Sequence, residues 1–337
     1  MNATMSLENT KHYPVMLSQI LSIISPQHGG TFIDCTFGGG GYSKAILKHP
    51  NTKVIAIDRD KSVKKKATAL VKEFPNRFSF YHEKFSNLNK IVYPKLEVKA
   101  IIFDLGLSTY QIADHERGFS FKSKGNLSMQ MGLNKISAYE IVNFLDKTNL
   151  SNVIKILGEE KEGKKIANKI AQYRIKKKIE TPEELTNIIK EAKRNNFKKN
   201  PATKTFQALR IIVNKELTEL IEGLIAATEL LKADGILILV SFHSLEDRII
   251  KNFFKLHSSS NSNPSRYIPQ SSNSNNQNLF KFFQKKVLTP SEDEIKENHS
   301  SRSAKLRYGI RNNIKFSYSK TMDTKFNKYT NIEKLAL

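Results

Sequence analysis

Thr31-Phe32-Ile33-Asp34-Cys35-Thr36-Phe37-Gly38-Gly39-Gly40-Gly41-Tyr42-Ser43-Lys44 runs from a short β-rich segment through four glycines into a helical stretch over residues 42–48. A strand that turns on glycines into a helix lets the backbone approach a ligand closely and aims free helix amides at it. Working outward, Val54-Ile55-Ala56-Ile57, Phe78-Ser79-Phe80-Tyr81 and Ala100-Ile101-Ile102-Phe103 are further β-rich runs. Strands alternating with helices predict a parallel sheet covered on both faces, so the fold class is α/β.

The pattern then changes. From residue 137 to about 231 apolar residues recur at helical period, with Thr181-Pro182-Glu183-Glu184 as a helix start, and no strand is predicted. A strand signal resumes only at residues 236–240. A crossover between parallel strands needs about 30 residues, and the interval from 104 to 236 is several times that. The expected organisation is therefore a core of residues 1–113 and 205–337 carrying a helical insertion at 114–204. Residues 257–278, rich in Ser and Asn, bury too little apolar surface to offset their ordering entropy and are expected to form a disordered loop. Two last strand candidates, 282–288 and 305–310, flank the capping box Ser291-Glu292-Asp293-Glu294.

Charge points to a partner. Among 337 residues, 55 Lys and Arg face 32 Asp and Glu, a net +23, which suits a polyanion such as nucleic acid. The excess is concentrated in the insertion, at Lys161, Lys164, Lys165, Lys169, Arg174, Lys176, Lys177, Lys178, Lys190, Lys193, Arg194, Lys198, Lys199 and Lys204, which predicts an RNA-backbone surface there. The single cysteine, Cys35, cannot form an intramolecular disulfide or a cysteine metal cluster, and no His/Cys/Asp group has metal-ligand spacing. No metal is expected. A reducing setting, with no leader or membrane-length apolar run, predicts a cytoplasmic protein.

Three segments could carry chemistry. Asp58 ends the second strand about 20 residues after the glycines, where an acid accepts hydrogen bonds from ribose hydroxyls. Dinucleotide and S-adenosylmethionine sites share that arrangement. Two details favour S-adenosylmethionine: Ser43 stands where the third glycine of G-x-G-x-x-G would be, and Asp34 ahead of the loop suits an ammonium better than a pyrophosphate. Asp104-Leu105-Gly106-Leu107-Ser108-Thr109-Tyr110-Gln111 ends the fourth strand, where an acid, hydroxyls and an amide could hold a base and a sulfonium. Ser241-Phe242-His243-Ser244-Leu245-Glu246-Asp247-Arg248 follows the strand at 236–240 and is expected to face His243 into the same cleft. Cys35 is expected at the cofactor end as a packed side chain. That disfavours thiolate-dependent methylation of a cytosine carbon and favours direct transfer to nitrogen or oxygen.

With His12-Tyr13-Pro14-Val15, Glu116-Arg117-Gly118-Phe119-Ser120-Phe121, Pro201-Ala202-Thr203-Lys204-Thr205-Phe206-Gln207-Ala208-Leu209-Arg210 and Ser301-Arg302-Ser303-Ala304-Lys305-Leu306-Arg307, these segments span essentially the whole chain. It resembles the bacterial 16S rRNA (cytosine-N4)-methyltransferases. The resemblance implies a class I (Rossmann-like) methyltransferase core with an inserted all-helical domain and S-adenosyl-L-methionine as cofactor. It implies methylation of the exocyclic N4 amine of one cytidine in the decoding (P-site) region of 16S rRNA, with the rRNA expected within the small ribosomal subunit and free rRNA left open as the substrate. Cofactor contacts carry over onto Gly40, Gly41, Tyr42, Asp58, Phe85, Asp104 and Gln111, and Asp104, Ser108 and His243 are the candidate catalytic residues. A homodimer is left open. The chain departs from the family at Tyr42, where histidine is usual, at Thr109-Tyr110-Gln111, where Ser-Pro-Gln is usual, and at Asn126-Leu127-Ser128-Met129-Gln130-Met131-Gly132. Two other readings stay open: a non-catalytic RNA-binding ribosome-assembly factor on this scaffold, and a nicotinamide-dependent dehydrogenase, against which Ser43 counts.

Overall fold

The structure, a computed structural model, describes residues 14–93, 96–108, 111–112, 114–193, 200–258, 278–317 and 320–336. Its seven strands form one sheet in the order β3-β2-β1-β4-β5-β7-β6. β1 (Gly30–Asp34), β2 (Thr52–Asp58), β3 (Phe78–His82), β4 (Val98–Asp104) and β5 (Ile236–Ser241) are parallel. β7 (Lys305–Arg311) runs antiparallel to β5, and β6 (Phe280–Phe283) antiparallel to β7. This is the α/β, Rossmann-like class expected from the sequence.

Both faces of the central strands are covered, which is why they read as apolar runs rather than alternating. Phe32, Ala100, Ile102, Ile238 and Val240 point to one side, where they meet α1 (Leu17–Ile24), α2 (Gly41–Leu47) and α3 (Lys64–Glu73). Ile33, Ile101, Phe103, Leu237 and Leu239 point to the other. There they share a contiguous apolar cluster with α4 (Leu88–Ile91) and with the helices that separate β4 from β5: α5 (Ala138–Phe144), α6 (Lys147–Leu157), α7 (Gly163–Lys176), α8 (Pro182–Lys193), α9 (Thr203–Asn214) and α10 (Glu216–Leu230). Among the described residues no strand lies between β4 and β5. Two of these helices start as the sequence dictates: Ser137 and Glu140 cap α5 reciprocally, and Thr181 and Glu184 do the same for α8.

Past β5 come α11 (Ser244–His257), α12 (Glu292–Glu297) and, after β7, α13 (Lys320–Glu333). α13 packs on α6, α9 and α10 and buries Phe326. Its Glu333 accepts hydrogen bonds from the Leu217 and Thr218 amides (2.9 and 2.8 Å), capping the first turn of α10. The strand expected at 282–288 is shorter and shifted. The chain leaves the ladder after Gln284, because the Lys285 carbonyl accepts from the Arg307 guanidinium (2.8 Å) instead of a strand amide, and only Leu288 bridges back to Leu306. Of the loop expected at 257–278, His257 ends α11 and Ser258 bridges to Phe280, while 259–277 lie outside the described residues. Among the described residues no helix is long and apolar enough to cross a membrane.

Candidate active site

β1 has β2 on one side and β4 on the other, so the sheet changes its direction of winding at β1, the position where open α/β sheets bind ligands. A cavity of about 480 Å³ opens there, walled by the carboxyl ends of β1, β2 and β4 and by α9, α10 and α11. The glycine loop forms one wall. Gly38 and Gly40 have φ of 51° and 78°, and a Cβ on Gly40 would stand 2.9 Å from the Phe37 ring, so the tight turn needs glycine there. Gly41 and Tyr42 line the cavity; Gly40 makes the turn and does not.

Asp34 does not meet the expectation placed on it. It is wholly buried off the cavity wall, with Oδ1 accepting from the Thr36 amide (3.2 Å) and Oδ2 from the Ser43 hydroxyl (2.7 Å). It pins the loop to the first turn of α2, and Ser43, which breaks the dinucleotide fingerprint, is its partner. Burial pushes the Asp34 carboxyl up to about 6 against those bonds.

Asp58 does line the cavity. Its Oδ2 accepts from the Gly38 amide (2.7 Å) and its Oδ1 from the Asp60 amide (2.8 Å), which fixes the carboxyl beneath the loop. Burial outweighs these bonds and raises it to about 6. Two residues on, Asp60 accepts from Gln111 Nε2 (2.8 Å) and Arg117 Nη1 (2.5 Å), and together with the Ser62 amide these overcome burial and hold Asp60 below the usual carboxylate range. Gln111 thus reaches the wall as the partner of Asp60, with its Oε1 accepting from the Ser108 amide (3.0 Å). Ser108 and Phe85 are also on the wall, while Thr109 and Tyr110 lie outside the described residues.

Asp104 is held by its own amide, which donates to Thr36 Oγ1 (2.7 Å). Its Oδ1 is buried with no hydrogen-bond partner among the described residues, and its Oδ2 is 3.2 Å from the Tyr42 hydroxyl. Burial first, then the charges of Asp34 and Glu246, push this carboxyl up to about 8. Geometry agrees. The Val15 carbonyl, 2.5 Å from the Tyr42 hydroxyl, can only accept, so the single Tyr42 proton lies in that bond. A protonated Asp104 is then the donor to Tyr42.

His243 is corrected too. It is absent from the cavity wall and caps α11: Nδ1 accepts from the Glu246 amide (3.4 Å) and Nε2 lies 3.1 Å from Glu246 Oε1. A ring using Nδ1 as acceptor carries its proton on Nε2, which is buried near that carboxylate but makes no hydrogen bond among the described residues. Glu216, His243 and Glu246 bring three donor atoms within 4.8 Å, a grouping invisible in sequence spacing. Arg210 grips Glu216 through two bonds (2.8 and 2.9 Å), and the Phe242 amide takes Glu246 Oε2 (2.9 Å), so these carboxylates are committed to protein partners. Cys35 is buried, and burial pushes its thiol well above the ordinary value, which withholds a thiolate.

Sequence reading missed Arg59, Glu83, Arg210, Glu216 and Glu219, all on the wall. Arg59 follows Asp58 directly and donates to the Gly132 and Asn214 carbonyls and to Asn134 Oδ1, each at 3.0 Å. The atypical stretch 126–132 is therefore clamped to the end of β2; a Cβ on Gly132 would fall 2.2 Å from the Arg59 carbonyl oxygen. Its Met131 lines the cavity. In a chain of net +23 this cavity is acidic, with Asp58, Asp60, Glu83, Asp104, Glu216, Glu219 and Glu246 against Arg59 and Arg210. Such a wall receives a ligand carrying positive charge and repels a pyrophosphate, which counts against the dinucleotide reading.

A family model described as the MraW methylase family matches residues 9–311. The chain is 44% identical over 301 residues to the ribosomal RNA small subunit methyltransferase H of Ehrlichia canis (strain Jake), covering 88% of this chain and 98% of that protein. To the protein of the same name from Sulfurihydrogenibium sp. (strain YO3AOP1) it is 42% identical over 308 residues, covering 89% and 99%. To that of Orientia tsutsugamushi (strain Ikeda) it is 41% identical over 310 residues, covering 90% and 99%.

Proposed function

The chain belongs to the MraW methylase family and is an S-adenosylmethionine-dependent methyltransferase acting on small-subunit ribosomal RNA, and we propose that its acceptor is the exocyclic N4 amine of a cytidine in the decoding region. The observation that carries this reading is Asp104: a buried carboxyl on the cavity wall with one oxygen unpartnered. The residues present fit the cofactor. Asp58 is the acceptor for ribose hydroxyls, the glycine loop gives close backbone approach, and the surplus of carboxylates suits a ligand of net positive charge. When bound, S-adenosylmethionine supplies an electrophilic methyl group on a sulfonium.

The amine's lone pair is delocalised into the base, so it needs a group that draws off its proton as the new nitrogen–carbon bond forms. Asp104 Oδ1 is the atom we assign to that task. A cation beside a buried carboxyl lowers its proton affinity, and loss of that cation restores it. With a sulfonium held beside it Asp104 would ionise, and its carboxylate would then serve as the proton acceptor for the amine. We assign Ser108, on the same wall, to accept from the second amine hydrogen.

We assign RNA gripping to residues 114–204. At their outer end Phe144 is 61% exposed and Ile175 84%, and Lys178 Nζ lies 4.6 Å from the Phe144 ring centroid. An exposed aromatic ring beside lysines is a platform for stacking an unpaired base. The target base must be turned out of its stack to reach the cavity. The substrate form within the small ribosomal subunit and a cytoplasmic setting complete the proposal. Transfer of labelled methyl from the cofactor to small-subunit rRNA, followed by digestion to nucleosides, tests it: label in N4-methylcytidine is expected, and label only on carbon 5 overturns it.

A further inference from the structure

A second cleft, of about 410 Å³, lies outside the active-site cavity between α6, α11 and α13, and Lys155, Lys161, Arg248, Lys328 and Tyr329 line it. α13, which supplies Lys328 and Tyr329, lies beyond the family match that ends at residue 311. It is fixed in place: Phe326 is 2% exposed, and Glu333 caps α10 through two main-chain amides. The cleft is thus walled by a docked element that the family pattern does not include.

Its charges do not cancel. The two acids in it are already partnered: Glu159 takes the Arg248 guanidinium (2.8 Å) and the Ser244 hydroxyl, and Glu160 takes Lys193 Nζ (2.7 Å). Lys204 Nζ adds a further cation by donating to the Glu159 carbonyl (2.9 Å). Lys155, Lys161 and Lys328 are exposed and have no carboxylate within ion-pair distance among the described residues. Tyr329 sits among them, its hydroxyl 3.1 Å from Arg248 Nη1. Several cations around a half-buried aromatic ring match a nucleic-acid backbone with its bases free to stack. The location fits as well. Ser244, bonded to Glu159, stands on the first turn of α11, which also carries Glu246 of the active-site wall, and Arg248 is one turn further along.

We propose that this cleft binds the phosphodiester backbone of single-stranded RNA flanking the acceptor nucleotide, so that α13 adds to the substrate grip supplied by α6 and the residues that follow it. The proposal rests on the RNA reading above. Deleting α13 would uncover the apolar surface that Phe326 covers and uncap α10, so point variants are the proper probe. In the full-length chain, Lys155→Gln, Lys161→Gln and Lys328→Gln are combined, and binding of a fluorescein-labelled single-stranded RNA is titrated at several salt concentrations, beside calorimetry with S-adenosylmethionine. The log–log salt slope is expected to flatten by about 0.7 for each phosphate no longer neutralised, with affinity near 0.1 M salt falling about tenfold and cofactor affinity unchanged. A wild type that methylates small-subunit rRNA, beside a triple variant with an unchanged salt slope, overturns the cleft alone. A wild type that transfers no methyl group, beside a variant whose slope does flatten, leaves the cleft standing and overturns the functional reading.

Discussion

Three acids at the active-site cavity that form no ion pair among the described residues, Asp34, Asp58 and Asp104, end on the opposite side of the ordinary carboxylate value from the paired Glu159 and Glu160 of the α6–α11–α13 cleft. Asp60, paired with Arg117, follows the pattern of the cleft. In and just behind the cavity wall, burial raises Asp34 and Asp58 to about 6 and Asp104 to about 8. At the cleft, burial also pushes Glu159 and Glu160 upward, but it loses to bonds from Ser244 and Arg248 in the first case and Lys193 in the second, and both end below the ordinary value. The difference lies in the supply of cations. The cavity has carboxyls in excess and waits for a positively charged ligand; the cleft has lysines in excess and waits for an anion. One chain of net +23 thereby separates a site for a sulfonium from a surface for RNA.

The contrast breaks first at Asp104. Asp104→Asn keeps the shape and resembles the protonated carboxyl of the free protein, so thermal stability near pH 7 should hold. Methyl transfer should fall about 10²–10³-fold, the scale of removing one electrostatic partner from a reacting group. Single-turnover kinetics beside a melting curve check it, and unchanged turnover would leave Asp104 a structural cap. Asp58→Ala comes next. Two hydrogen bonds to a charged acceptor, each worth about 1.5–3 kcal/mol, would disappear, so cofactor affinity should drop about 10²-fold or more by calorimetry.

A pH series sharpens the same comparison. Asp34, Asp58 and Asp104, and also Glu333, which burial raises to about 8, hold protons in the folded chain that the unfolded chain has released. Their contribution to stability is fully present below about pH 4 and is lost as pH rises through 6 and 8. The melting temperature of the free protein should therefore fall between pH 5 and 8. Affinity for S-adenosylmethionine should run the other way, rising by up to about tenfold per pH unit toward pH 8, because a cation binds the ionised carboxyls. Calorimetry in buffers of different ionisation enthalpy should register proton release on binding.

How much of this is legible in the sequence depends on how local the signal is. The strands at 54–57, 100–103 and 236–240 and the glycine turn are set by neighbours in sequence, and they lie where periodicity places them. Asp58 can be found because strand, turn and acid sit within one βαβ unit. Asp34 is misread because its partner Ser43 sits in the first turn of the following helix, and sequence does not show which way a side chain at a strand end turns. His243 lies off the cavity wall for the opposite reason: the same segment supplies Glu246, which closes a capping box with it and whose amide takes up Nδ1. Arg59 reaches the wall through contacts across the helices between β4 and β5, to Gly132 and Asn214, which spacing cannot disclose, whereas Arg210 and Glu216 pair locally across the junction of α9 and α10.

The smallest expected effect concerns the lysines of residues 114–204, and pairing divides them. Lys165 meets Glu162 (3.0 Å), Lys169 meets Glu191 (2.9 Å) and Lys177 meets Glu184 (2.6 Å), so each would have to leave a carboxylate to reach a phosphate. Lys164 and Lys176 are exposed without an ion-pair partner among the described residues, and Lys178 rests on the Phe144 ring. If this face grips RNA, replacing Lys164, Lys176 and Lys178 with Gln should flatten the salt slope by about 0.7–0.9 per phosphate released, whereas replacing Lys165, Lys169 and Lys177 should do less. Exposed ion pairs contribute only about 0–1 kcal/mol to stability, so neither set should shift the melting temperature much. Cofactor affinity should stay fixed in both, because the cavity carboxyls are untouched. Equal salt slopes in the two triple variants would mean that pairing does not ration these lysines. A slope unmoved by either would make them a solvated face and leave the cleft at α13 as the main cationic contact.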